Sequence, residues 1–324
     1  MTSRERFRET MRYCKPDRVP YFEEGLRDDV LEAWRAQGLP EGVNPYDLFE
    51  TDRRERIPVN IEPLGGYDRP AYDLTYRELR ASLDPDRPDR FPDDWSQRVE
   101  EWSRREHVLE LWLGRGFFLS MGVHDWPRFV DAVYLVKDNP ARARGILRAC
   151  GELAAAIADR VLDEVDVDMV MFSEPIGGND RPLLSPDAYE EFVLESFRPA
   201  FDVLRARNVE VICLVTYANA RALIASVLRY GLNCLWACEV NQEAMDYRDI
   251  RQQFGRELRL IGGIDLDVLS QGEQSIRREI EAKVPPLLAQ GGYVPLADGR
   301  IRANVPFSAY SLYRRLLAQA TRAL

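Results

Sequence analysis

Six segments of this chain share one arrangement: an apolar run, then an acid or other polar group where the run stops. The clearest are VDMVMFSE ending in Glu174, LNCLWACE ending in Glu239, LRLIGGID ending in Asp265 and GYVPLAD ending in Asp298. Each follows an amphipathic stretch of helical length. Strands alternating with helices build a parallel sheet. In a barrel of that kind the chemistry sits at the C-terminal ends of the strands. The pattern therefore predicts an α/β fold, a single (β/α)8 TIM barrel over residues 1–324, with candidate working groups on one rim.

The rest of the chain can be placed on that frame. A first helix is expected over Arg4–Tyr13, capped by Ser3, with Phe7 and Met11 on one face. VPYFEE (Val19–Glu24) is the first strand candidate and RIPVNIEP (Arg56–Pro63) the second. Residues 64–105 are highly charged, and prolines 85, 88 and 92 forbid a continuous helix. Trp95 and Trp102 want burial, so this segment is expected to be an ordered insertion or lid. HVLELWLGRGFF gives strand three, with Arg115 just beyond it. Helices Trp126–Val136 and Pro140–Glu164 follow, then strand four. Ser185-Pro186-Asp187 reads as a helix start, with a capping hydroxyl and a first-turn proline. VEVICLVT, LNCLWACE, LRLIGGID and GGYVPLAD complete a count of eight strands, and Phe307–Ala323 closes the chain as a helix.

Composition removes several function classes. The formal charge of -10, with no basic tract, argues against a nucleic-acid partner. No apolar run approaches the ~20 residues a membrane span needs. The charged start MTSRERFRETMRY has no signal core, so a cytoplasmic protein is expected. The five cysteines form no CxxC pair, and Cys213, Cys234 and Cys238 read as small core residues.

The candidate site residues follow from position. Glu174, Glu239, Asp265 and Asp298 share one structural address, although loop and cap acids are common. Buried together, some would stay protonated near neutral pH and could donate a proton. Glu24 ends the first strand candidate. Arg115, between two glycines, suits a carboxylate or phosphate, or a salt bridge to one of the acids. Arg300 follows Asp298 and could reach the same mouth. Tyr217 and Asn219, after strand five, could orient a substrate or simply shape a turn. His124 lies in the loop after strand three. No histidine stands near the strand cysteines, so no zinc site is expected. Nucleotide fingerprints and GxSxG are absent.

Four segments carry a family resemblance: MTSRERFRETMRYCKPDRVPY, PLLSPDAYEEFVLESFRP, RLIGGIDLDVLSQG and GGYVPLADGRIRANVPFSAYSLYRRLL. Together they resemble the uroporphyrinogen decarboxylase superfamily over about Met1–Leu317, most weakly in 64–105. The resemblance implies a single-domain barrel, with homodimers common among the decarboxylases. It also implies either porphyrinogen decarboxylation or methyl transfer to corrinoid proteins or thiols. The departures narrow this. Where the porphyrinogen enzymes carry an Arg-rich RQAGRY motif, this chain reads EEGLRDD with only Arg27. Leu214 and Thr216 stand where the thiol-directed members hold zinc with His-x-Cys. Asp298-Gly299 stands where many members have Asp-His.

The first expectation is therefore a metal-independent lyase of the decarboxylase type, without a cofactor, acting on a small carboxylated metabolite. Arg115, with Arg27 or Arg300, would hold the carboxylate. Glu174, Glu239 or Asp298 would protonate the carbanion, with Tyr217 and Asn219 orienting the substrate. The alternative is methyl transfer from an ether or amine to a corrinoid protein partner. The third is a barrel that binds without catalysis.

Overall fold

The computed structural model describes residues 1–322 apart from 64, 65, 67, 176, 177, 179, 218 and 239–243. Its strands are β1 (Arg54–Arg56), β2 (Val108–Gly114), β3 (Met169–Ser173), β4 (Ile212–Thr216), β5 (Cys234–Ala237), β6 (Arg259–Ile264) and β7 (Tyr293–Ala297). The chain divides into two units. One comprises Met1–Arg54, Glu106–Val108 and Cys234–Leu324, and the other Glu55–Arg105 and Leu109–Asn233. Both are α/β, and their strands pair in parallel. Among the described residues no helix is long and apolar enough to cross a membrane.

In the second unit, β2 pairs with β3 and β3 with β4, all parallel. Nearly every residue of these strands is buried, as expected of a parallel sheet covered on both faces. The connecting helix Pro140–Glu164 runs as its sequence predicts. It is capped by the Asn139 side chain, with proline in its first turn. It packs closely on helix Glu195–Ala206, and the contact depends on Gly151: a Cβ there would lie 1.9 Å from the Ser196 carbonyl oxygen. Ser185 caps the helix that starts at Pro186 by accepting the Ala188 N–H.

In the first unit, β5, β6 and β7 pair in parallel in that order. The double glycine of LIGGID has a specific task. Gly262 and Gly263 have φ of +106° and +87°, and a Cβ on Gly263 would meet the Tyr247 ring at 2.6 Å. The Tyr247 hydroxyl accepts the Ala237 N–H at 2.9 Å and donates to the Ile261 carbonyl at 2.7 Å. One buried side chain thus ties β5 to β6.

Three expectations need correction. Val19–Glu24 forms no strand. Pro20 lacks a ladder donor, and Tyr21 spends its N–H on the Asp52 carboxylate and its carbonyl on the Asp52 N–H. Just beyond this segment, Leu26 makes an isolated parallel bridge with Ile301. The second predicted strand is shorter and earlier: β1 ends at Arg56, and Pro58 stops the ladder soon after Ile57 donates to Glu110. The first helix, Ser3–Met11, is capped by Thr2 rather than Ser3, in a capping box with Glu5.

Residues 64–105 contain the short helices Tyr76–Ser82 and Trp95–Ser103, with the prolines between them. Trp95 and Trp102 are buried edge to face. Arg90 is fully buried and donates to the carbonyls of Asn60, Glu62, Ser82 and Asp84. Those bonds hold the turns around it.

Candidate functional site

In the second unit the sheet register brings two chain segments together. β2 ends at Gly114 and is followed by Arg115, Gly116 and Phe117. β3 ends at Ser173 and is followed by Glu174, whose N–H donates to Val215 of β4 at 2.7 Å. Glu174 is 2% exposed. Both its carboxyl oxygens face the Phe117 N–H, at 3.0 and 3.2 Å. Gly116 makes this approach possible. Its φ is +78°, and a Cβ there would lie 2.5 Å from Glu174 Oε1. The Tyr189 hydroxyl also bonds to the Glu174 carboxyl.

The electrostatics follow from this geometry. Burial pushes the Glu174 carboxyl up to about 8, against the Phe117 N–H and the Tyr189 hydroxyl, which both favour the anion. Tyr189 is itself pushed well above its ordinary value, first by burial and then by Glu174. Glu174 is therefore a mostly neutral acid at pH 7 with two donors already aimed at the anion it would become. The sequence pattern indicated Glu174, but not Gly116 or Tyr189. The GRG tripeptide and the tyrosine one turn after the Ser185 cap were the signals available for them.

The other candidates of this unit lie around those strand ends. Arg115 is ion-paired with Glu62, which corresponds to the salt-bridge alternative, although with a partner outside the acids first considered. Burial lowers the Arg115 pKa, and Arg56 lowers it further. Tyr217, just past β4, is 47% exposed. Asn219 binds its own loop: its amide donates to the Asp180 carbonyl and its oxygen accepts the Arg221 N–H. His124 contacts Arg128.

The first unit gathers a second set. Cys238 follows β5, Asp265 follows β6 and Asp298 follows β7. Asp298 is 2% exposed and accepts the Leu266 N–H at 2.9 Å. Cys238 donates its thiol proton to Glu24 at 3.3 Å. Burial, then the charges of Glu24 and Asp298, push that thiol well above its ordinary value. Cys238 is thus buried, as expected, but it is also a polar partner of Glu24. Asp265 caps the turn Leu266–Ser270, and burial, with Glu279 and Asp267, raises its pKa. Glu23, beside Glu24, pairs with Arg314 at 2.9 Å and is pushed up to about 7 by burial. Arg300 is exposed. Glu239 lies outside the described residues. Leu214 and Thr216 are buried in β4, and among the described residues no three His, Cys, Asp or Glu side chains are placed to hold a metal ion.

Comparison with known proteins gives a family and likenesses in fold. The sequence profile of the uroporphyrinogen decarboxylase (URO-D) family matches residues 127–295. No curated protein matches the sequence. A methyltransferase from Methanosarcina mazei is similar in fold, with a TM-score of 0.60 and 14% identity; the likeness covers 100% of this chain and 98% of that one. An endo-beta-1,4-xylanase from Gloeophyllum trabeum is similar at TM-score 0.42 and 12% identity, over 73% of this chain and 83% of its own. Xylanase B from Clostridium stercorarium F9 is similar at TM-score 0.39 and 14% identity, over 80% and 88%.

Proposed function

This chain belongs to the uroporphyrinogen decarboxylase family, and we propose on that premise that it is a methyltransferase acting on a methylated ether or amine. One observation carries the choice. At the ends of β2 and β3, Glu174 is a neutral buried acid, while Arg115 already has Glu62 as its counter-ion. A proton donor is in place, whereas a carboxylated substrate would first have to displace Glu62. The methyltransferase of similar fold is in keeping with this reading.

In the proposed reaction the bond from methyl carbon to oxygen or nitrogen breaks. The leaving atom takes the Glu174 proton, and the methyl group passes to an acceptor carried by a corrinoid protein. The Phe117 N–H and the Tyr189 hydroxyl hold the carboxylate that remains, which lowers the cost of giving up the proton. Tyr217 and Asn219, at the end of β4, orient the donor. The proposal takes residues 1–324 as one (β/α)8 enzyme domain with 64–105 as its lid, working in the cytoplasm as a homodimer.

The second reading, a decarboxylase-type lyase, rests on the Arg115–Glu62 pair being part-exposed and so exchangeable. The test is to incubate the protein with reduced cobalamin and a panel of methoxylated aromatics and methylamines. Donor-dependent loss of the reduced-cobalt absorption, abolished by Glu174→Gln, is expected. Release of carbon dioxide from a small carboxylic acid, with no corrinoid required, would replace methyl transfer with the lyase.

A further inference from the structure

At the N-terminal ends of β6 and β7, opposite to Asp265 and Asp298 along those strands, the first unit contains a cavity of about 370 Å³. Its floor is closely fitted. Tyr13, Gly291 and Gly292 all adopt left-handed backbone, with φ of +61°, +75° and +62°. A Cβ on Gly292 would lie 2.3 Å from the Tyr13 ring. Arg251, almost wholly buried, donates to the Gly291 carbonyl at 2.7 Å and the Gly292 carbonyl at 3.2 Å. The Tyr13 hydroxyl donates to the Arg256 carbonyl at 2.7 Å, and the Arg256 guanidinium lies over the ring at 4.4 Å.

The charge on this cavity runs against that of the chain. Its ionic lining residues are Lys15, Arg18, Arg256 and Asp17. Asp17 is taken up by Arg6, with two bonds of 2.7 Å. Arg18 is taken up by Asp52 and Glu50. Lys15 and Arg256 remain facing the cavity, in a protein whose formal charge is -10. Arg251 and Arg259, each 5.7 Å from the Tyr13 ring centre, add positive field behind it. The volume is that of a small-molecule site.

We propose that this cavity is a second ligand site, separate from the strand ends that carry Asp265 and Asp298, and that it binds a small organic dianion between Lys15 and Arg256. A phosphate monoester and a dicarboxylate share that chemistry. The protein carries its own reporter, because Cys14 lines the cavity and is the exposed cysteine of the five.

The experiment measures the rate at which a thiol reagent modifies Cys14, with calorimetry of the same titrations as an independent reading. The probes are phenyl phosphate, phthalate and neutral phenol. Saturable protection by a dianion is expected, about tenfold when the probe is at about ten times its dissociation constant. Whichever dianion protects at lower concentration identifies the class. Lys15→Glu and Arg256→Ala, both at exposed positions, should each abolish protection while leaving the unfolding midpoint unchanged. Equal protection by phenol would overturn the proposal, as would no protection and no heat with either dianion, or protection that survives both substitutions.

Discussion

Glu174→Gln tests the neutral buried acid without reference to any substrate. In the folded chain the carboxyl titrates at about 8, and unfolding returns it to 4.5. The sign follows from linkage. A carboxyl whose folded pKa is raised favours the folded state fully below pH 4.5 and loses that advantage as the pH climbs through about 8. The gap, at ~1.4 kcal/mol for each pH unit, is on the order of 5 kcal/mol. About 4 kcal/mol of it falls between pH 5 and pH 8.5. Glutamine keeps the shape and does not titrate, so its own contacts cancel from the pH dependence. Urea unfolding of both proteins, followed by tryptophan fluorescence, should show the variant gaining on the parent by that amount as the pH rises. A difference that stays constant within about 1 kcal/mol would mean that Glu174 titrates normally. That result would remove the proton donor from the proposed reaction.

Tyr189→Phe removes a bond that favours the Glu174 anion, so the carboxyl midpoint, read by isotope-edited infrared difference spectra, should move further above about 8; no movement or a fall would refute the positioning role. Gly116→Ala combines left-handed strain with a clash against Glu174 Oε1, and should cost about 2–4 kcal/mol in urea unfolding. Arg90→Ala removes a donor from four buried carbonyls, of which those of Glu62 and Ser82 keep Arg87, and should cost about 3 kcal/mol. Glu62→Gln removes the negative charge paired with Arg115, and should leave the KM for a methyl donor within about twofold, because part-exposed pairs contribute little; a large fall in KM for a carboxylated substrate would favour the lyase.

The legible parts of the fold were those whose signals are local. Helix Pro140–Glu164 appears with its predicted bounds, because its asparagine cap, first-turn proline and apolar periodicity lie within one stretch of chain. Strands β3 to β7 were legible as apolar runs. Val19–Glu24 misled because its burial is real while its hydrogen bonding is not strand-like. Phe22 is buried, but Tyr21 exchanges its backbone bonds with Asp52, 31 residues away. Apolarity reports burial, and only the partner of each N–H reports a ladder. Pro20 and Pro58 are the local signs against those two strands, since neither has an N–H to give to a ladder.

At the candidate site the address was legible and the chemistry was not. Glu174, Asp265 and Asp298 each follow a strand in the same way, yet they differ in what they meet. Asp265 caps its own next turn and Asp298 accepts the Leu266 N–H. Glu174 meets a backbone donor and a tyrosine drawn from two other elements. Phe117 lies 57 residues before it, and only the β2–β3 register makes them neighbours. Glu174 differs from the equally buried Asp298 in adding the Tyr189 hydroxyl to its backbone donor, and its approach to the Phe117 N–H depends on the absence of a side chain at Gly116. A glycine at that point of the GRG turn is as much a part of the proposed acid as the glutamate itself, and the two should be substituted together before either is assigned a separate contribution.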